Sequence, residues 1–519
     1  QKRFTRQKNR NTRNNQVITD KELQVRLFND FARNAFISGE KTRYVNGERL
    51  SEPVRYRLGP NFYFFRNNFR SAEYPVINAV FESHLQKQVS ETAQFSNMSG
   101  ELQKNDRANL VLRNTSFRDV LAMNPKGDTI RNVLTLKGDY LFNLFRAKAG
   151  IDEFNDWLAA YLDNHRYQSI DVTQLNTDMK ESFGFEFYPY LHDWFNSKDQ
   201  PGFVFSGLQA REIIIDNRVR FLVTFTASNP EPVTGIFNIS FRTGGEGGRQ
   251  MTGFFEGSGR GGYTIMMQGQ GSGSDISEIV VLGPAEAKKI SIILDSEPRE
   301  MIANSLFAKN IPGEIVLPID NIVKSRNHTA FTEGEELLPS VPPLESPGEI
   351  VVDNEDPGFS TDNSTVMSPL KRMLGVKKRE ADTYQPVNMF WAPQYWQAGV
   401  MSSYYGLYIR SSVFTRGSRG EKIITWRTPI PLPDYYDIYC YIGKSADRMV
   451  VRSGGGAPPP PGESPRGDNL YKDMHYRIYH DEGTEDISID FENADPGWNL
   501  LGRYYISSDS ARVEMTNQS

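Results

Sequence analysis

Apolar positions recur every three or four residues over much of the first 200 positions and every second residue from about position 202 onward. The change of period divides the chain before any motif is considered. Leu23, Leu27, Phe31 and Ala35 fall four apart behind the capping sequence Thr19-Asp20-Lys21-Glu22, which predicts an amphipathic helix to about Phe36. Helical spacing returns over 75–89, 129–148, 151–164, 170–183 and 187–196. Two-residue alternation then marks strands over 211–215, 218–226, 236–242, 263–268, 279–282 and 289–294, separated by Gly, Pro and Asn clusters. Residues 333–347 are acidic and rich in proline, and alternation resumes beyond 348.

The expected architecture is therefore multidomain α + β. A basic tail (1–19) precedes a helical domain (20–198), an antiparallel β-sandwich (200–322), an extended linker (323–347) and a jelly-roll-like β-sandwich (348–519).

Composition narrows the function classes. The net charge of −5 and pI near 5.9 lack the concentrated basic face that phosphate neutralisation requires, so nucleic acid is not an expected partner. The one basic run, Lys2 to Arg13, is polar and turn-rich and reads as a solvated tail or a segment beside a membrane. No stretch reaches the roughly 18 apolar residues of a membrane span. The chain opens on Gln rather than Met and reads as part of a larger precursor, with any membrane attachment in other parts of it. Its single cysteine, Cys440, lies in the alternation Tyr436-Ile438-Cys440 and is expected inside a strand. Gly257-x-Gly259-x-x-Gly262 has dinucleotide-loop spacing but precedes a strand rather than a helix, so hairpin loops account for it better.

Four segments of the helical part carry a resemblance in family order. They are Leu27-Phe28-Asn29-Asp30-Phe31-Ala32-Arg33, Tyr74-Pro75-Val76-Ile77-Asn78-Ala79-Val80-Phe81, Leu136-Lys137-Gly138-Asp139-Tyr140 with Ala149-Gly150-Ile151-Asp152-Glu153-Phe154, and the terminal helices ending at Leu191-His192-Asp193-Trp194-Phe195. Together they resemble the aminopeptidase N-like gluzincins, zinc peptidases in which H-E-x-x-H supplies two imidazoles and a general base. In that family the Glu of N-E-G-F is the third ligand and the Tyr of Y-x-K-G stabilises the oxyanion. The matching positions here hold Asn29 and Arg33 for the histidines, Asp30 for the base, Ala79 for the third ligand and Thr135 for the tyrosine. All five depart, and a guanidinium at Arg33 repels a dication. The resemblance thus implies a pseudoenzyme with neither metal nor cofactor. Residues 39–68, with the run Phe62-Tyr63-Phe64-Phe65, form an apparent insertion between the second and third ligand positions. A rebuilt zinc site would have to use His84, His165 and His192, which lack ligand spacing, with Glu82 beside His84.

The last segment carries a second resemblance. Val351-Val352-Asp353-Asn354-Glu355-Asp356-Pro357-Gly358-Phe359, Ile424-Thr425-Trp426 with Pro431-Leu432-Pro433-Asp434-Tyr435, and Pro496-Gly497-Trp498-Asn499-Leu500 are similar to golvesin C-terminal-like, xanthan-lyase carbohydrate-binding-module-like domains. Two loops interrupt that pattern, 364–385 with its basic residues and 453–465 with Pro458 to Pro461. The resemblance implies contact with glycan, for which Trp391, Trp396, Tyr404 and Tyr405 are the candidate rings; the alternative, favoured by the residues themselves, is that these four cover a domain interface while Trp426 and Trp498 form the core. The combined expectation is a non-catalytic scaffold or binding subunit with protein partners in the extracytoplasmic part of a bacterial cell envelope, of Bacteroidota. The alternatives are a secreted glycan- or peptide-binding protein and an active zinc peptidase.

Overall fold

The computed structural model describes residues 40–45, 48–53, 67–89, 102–123, 127–216, 218–243, 251–255, 263–267, 274–319, 322–324, 333–343, 348–362, 384–385, 393–443, 451–453, 473–491 and 493–518. Both helices and several sheets are present, and strands prevail over helices. The helices are α1 (Ile77–Val89), α2 (Lys104–Leu112), α3 (Phe117–Ala122), α4 (Gly127–Ala149), α5 (Ile151–Asn164), α6 (Val172–Phe183) and α7 (Tyr188–Asn196). Two compact units result, one of residues 1–93 and 134–194 and the other of 94–133 and 195–519. The expected helix over 23–36, with Asn29, Asp30 and Arg33, lies outside the described residues, as do the basic tail and the Gly257 motif.

In the first unit the helix boundaries follow local chemistry. Gly150, at φ +86°, turns the chain out of α4, and Asp152 and Glu153 occupy the first turn of α5, where acids complement the helix dipole. Asp171 caps α6 by accepting from Thr173 N at 2.9 Å, and Gly184 closes it in the left-handed conformation. The buried faces meet in an aromatic core in which Phe81 packs against Phe142 at 5.1 Å and Phe145 against Phe187 at 4.9 Å. The short strands Asn67–Arg70 and Gln168–Asp171 pair in parallel beside it.

α1 and α4 approach closely at Gly138, where a Cβ would lie 2.8 Å from the Val80 carbonyl oxygen and 3.1 Å from the His84 Cβ. Main chain cannot yield as a side-chain tip can. Gly138→Ala is therefore expected to lower stability by about 1–3 kcal/mol despite the better helix propensity of alanine, read as a reduced melting temperature.

The second unit contains a two-sheet sandwich. One sheet orders Ser274–Leu282, Gly235–Thr243, Pro298–Asn304 and Glu314–Pro318. The other orders Ile322–Lys324, Val204–Ile215, Arg218–Asn229, Glu286–Leu294 and Gly334–Leu337. Their inward residues, among them Phe225, Phe237, Phe241, Ile290 and Met301, form one core. Two of these strands correct the sequence expectation, because Ile322–Lys324 and Gly334–Leu337 fall largely within the stretch read as an extended linker. Gly334–Leu337 is exposed throughout and joins by main-chain pairing, with Glu335 bound to Lys288 Nζ at 2.8 Å, so no apolar pattern announced it.

Helices α2 and α3, from the part read as the helical domain, belong to this second unit. The buried Asn109 donates to Leu306 O at 2.8 Å and accepts from Ala308 N at 3.2 Å, and Asp106 accepts from Gly313 N at 2.8 Å. The same loop meets the last segment. Ile311 N donates to Tyr408 O, Arg410 N donates to Ile311 O, and the Tyr408 hydroxyl donates to Glu231 at 2.9 Å.

Within the last segment a five-stranded sheet orders Phe359–Thr361, Ile423–Pro429, Ser510–Thr516, Asp473–His480 and Gly483–Asp490. It shares a core with the antiparallel pair Asp434–Ile442 and Gly497–Ile506 through Ile442, Tyr476, Ile478, Leu501, Tyr504 and Ile506. Cys440 is buried in this core, as its alternation predicts, and burial pushes its thiol pKa up.

Candidate functional site

The pair Asp434–Ile442 and Gly497–Ile506 has one phase of residues committed to the core: Tyr436, Ile438, Cys440 and Ile442 on one strand and Leu501, Tyr504 and Ile506 on the other. Side chains alternate across a strand, so Tyr435, Asp437, Tyr439 and Tyr441 must stand on the opposite, outward face. The register sets each against a partner: Tyr435 opposite Tyr505, Asp437 opposite Arg503, Tyr439 opposite Leu500, and Tyr441 opposite Trp498. A bulge between Ile438 and Tyr439 absorbs Leu501 into the core and keeps Leu500 and Arg503 on the same outward face.

The outcome is a ladder of aromatic rungs with one charged pair in it. Tyr435 and Tyr505 pack edge to face at 5.2 Å. Arg503 Nε lies 3.8 Å from Asp437 Oδ1, with the guanidinium 5.7 Å from the centre of the Tyr435 ring. Tyr439 and Trp498 are each 49% exposed and Leu500 56%, an unusual amount of ring and alkyl surface for the outer face of a sheet.

Tyr405 closes one end. Its ring lies 5.1 Å from that of Trp498 and 5.4 Å from that of Tyr441, and the last two are 5.3 Å apart, so the three rings form a corner. The loop carrying Tyr405 is fixed by Tyr404 N donating to Met401 O and by the Arg410 guanidinium donating to Ser402 O at 2.8 Å. Gly443 makes room for this loop, since a Cβ there would lie 2.8 Å from the Ser403 carbonyl oxygen.

The four rings expected from the sequence therefore separate. Tyr405 belongs to the corner. Tyr404 packs half-buried over Gly443, Trp396 is only 5% exposed, and Trp391 lies outside the described residues. Trp498, expected in the core, is a principal exposed ring, while Trp426 packs against the core as anticipated. Tyr435, Tyr439, Tyr441 and Tyr505 were missed, although reading the Tyr436-Ile438-Cys440 phase as inward already requires the intervening residues to point out.

In the first unit, Ala79 sits half-buried on α1. One turn further, the Ser83 hydroxyl shares a short hydrogen bond with that of Thr135 on α4. His84 is buried, with Nδ1 2.7 Å from Asp139 Oδ1 and its ring stacked on Phe142 at 4.1 Å. His165 bonds the Tyr161 carbonyl at the end of α5, and His192 is exposed on α7 beside Asp193. Glu82 accepts from Asn78 Nδ2 at 3.0 Å, and partial burial raises its pKa. Among the described residues no group of three His, Cys, Asp or Glu side chains is placed to hold a metal ion. Lys137, of the K-G pair, is buried and donates to Trp194 O at 2.9 Å. Trp194 Nε1 returns a bond to Lys137 O, and burial pushes the lysine pKa down to about 7.

Neither a family model nor a curated protein matches the chain. Among solved structures, a Paenibacillus xanthan lyase is similar to it at 13% identity and a TM-score of 0.21, over 62% of this chain and 25% of the lyase. The chain thus spans about a quarter of that protein's length, and a likeness at this score carries no argument about fold or function.

Proposed function

We propose that this chain is a non-catalytic binding protein that holds carbohydrate on the outward aromatic face of its last sandwich. The observation behind the reading is the ladder from Tyr435 and Tyr505 to Tyr441, Trp498 and Tyr405. Pyranose rings expose flat CH faces rimmed by hydroxyls, and tyrosine and tryptophan answer with an apolar ring face and a polar handle. In this reading the last segment is a jelly-roll-like, golvesin-like module, which agrees with the motifs at Asp353 and Trp426.

The helical unit is, in the same reading, a gluzincin-like framework retained as a scaffold. Ala79 offers no ligand atom at the third-ligand position, and Thr135, at the oxyanion-stabilising position, has its hydroxyl bonded to Ser83. Such a protein suits an extracytoplasmic place in a bacterial cell envelope, with protein partners on the scaffold and glycan on the sandwich.

Affinity electrophoresis of the full chain through gels containing soluble polysaccharides tests the binding. Retardation by at least one polysaccharide is expected, with Trp498→Ala weakening it by about tenfold or more, the order of a lost central aromatic contact. Retardation unchanged in Trp498→Ala would move the site elsewhere. Metal analysis of the purified chain tests the scaffold: stoichiometric zinc accompanied by peptide hydrolysis would overturn the pseudoenzyme.

A further inference from the structure

The charges and spacing of the ladder bear on which glycan it takes, an inference that rests on the carbohydrate-binding reading. Its outward face carries four cross-strand pairs, and the charged members are Asp437 and Arg503, opposite one another. Arg503 lies within ion-pair distance of Asp437 and over the Tyr435 ring, so its guanidinium already faces a carboxylate and a π face. An acidic chain laid along the rungs would meet Asp437 as well as Arg503 and find no net positive charge among the described residues of the strip. The remaining positions, Tyr435, Tyr439, Tyr441, Leu500, Trp498 and Tyr505, offer neutral ring and alkyl surface.

The spacing adds a second restriction. From Tyr435 to Tyr441 the strand advances roughly 20 Å at about 3.3 Å per residue, room for several consecutive sugar rings. Rungs on one face repeat every two residues, so a bound chain must present apolar faces repeatedly along an extended axis. The main-chain groups between the two strands are spent on each other in the ladder, which leaves rings and phenol hydroxyls as the recognition surface. Chains of β-linked sugars with equatorial hydroxyls meet this requirement, because each ring shows a CH face and the linkage keeps the chain extended.

We infer that the ladder binds an uncharged, extended β-linked polysaccharide, running from the Tyr435 and Tyr505 rung to the corner at Tyr405. Isothermal titration of the full chain with cellohexaose, xylohexaose and hexagalacturonate tests this. At least one neutral hexasaccharide is expected to bind about tenfold or more tightly than the acidic one, a difference of about 1.4 kcal/mol. Trp498→Ala and Tyr439→Ala, both on half-exposed rings, should each weaken that binding while the chain still unfolds cooperatively, with a melting temperature lowered by only a few degrees. Asp437→Ala, which leaves Arg503 unopposed, should raise the affinity for hexagalacturonate.

Acidic chains bound as tightly as neutral ones, and lost in Trp498→Ala, would overturn the inference while leaving the carbohydrate reading intact. Failure of all three ligands to bind, with no polysaccharide retarding the chain, would overturn both. Self-association abolished by Trp498→Ala, without glycan binding, would make the face a contact between copies and likewise sink both.

Discussion

Replacing Lys137 with Met should stabilise the protein, and by most at acid pH. Lys137 is 1% exposed, and burial lowers its pKa from the ordinary 10.5 to about 7. Between these values the unfolded chain binds a proton that the folded chain does not, so wild-type stability rises with pH across the window from about 7 to 10.5. Below it the lysine is protonated in both states and the folded state carries the whole cost of a buried ammonium. A shift of this size sets a ceiling of roughly 5 kcal/mol, and the loss of the bond to Trp194 O offsets part of it. The expected gain for Lys137→Met is therefore about 2–4 kcal/mol at pH 6, shrinking towards pH 10. Chemical denaturation at a series of pH values reads both the gain and the flattened slope. Equal stability of the two proteins at pH 6, or parallel pH profiles, would show that Lys137 is not titrating as its burial dictates.

Asn109→Ala should have a comparable effect of opposite sign. Its amide sits between Leu306 O and Ala308 N, and the main-chain carbonyl of the same residue accepts from Gln200 Nε2 at 3.1 Å. Truncation strands a buried carbonyl and a buried N–H in the loop that also meets Tyr408 and Arg410. Each unsatisfied group costs about 1–3 kcal/mol, so a loss of about 2–6 kcal/mol is expected. Hydrogen exchange at the Ala308 and Gly313 amides should accelerate with it. Lys104→Ala, at an exposed position on the same helix, should leave stability within about 0.5 kcal/mol. Asn109→Ala that behaves like Lys104→Ala would remove the network as the anchor of α2.

The described helices that carry apolar periodicity were legible to within a few residues, whereas two strands were read short, 211–215 being only the end of Val204–Ile215 and 279–282 the end of Ser274–Leu282. α5 coincides with the predicted 151–164, and α4, at Gly127–Ala149, extends the predicted 129–148 by a few residues. Helix α2 escaped because its buried face is partly polar. Asp106 and Asn109 look like surface residues until the loop about 200 positions away supplies their partners. Gly334–Leu337 escaped because an exposed edge strand needs only main-chain hydrogen bonds, which no side-chain pattern encodes.

The aromatic face was half legible. Which residues of 434–442 turn inward followed from the apolar phase alone, and with it the outward set Tyr435, Tyr439 and Tyr441. The sequence by itself determined the change of period and the burial of Cys440, because residue type and spacing are local properties. Only the tertiary structure decided that Trp396 is buried and Trp498 exposed, that Tyr405 joins Trp498 and Tyr441 in one corner, and that Arg503 is opposed by Asp437. A ring is covered or free, and a charge paired or not, according to strands that register and looping bring together from distant parts of the chain.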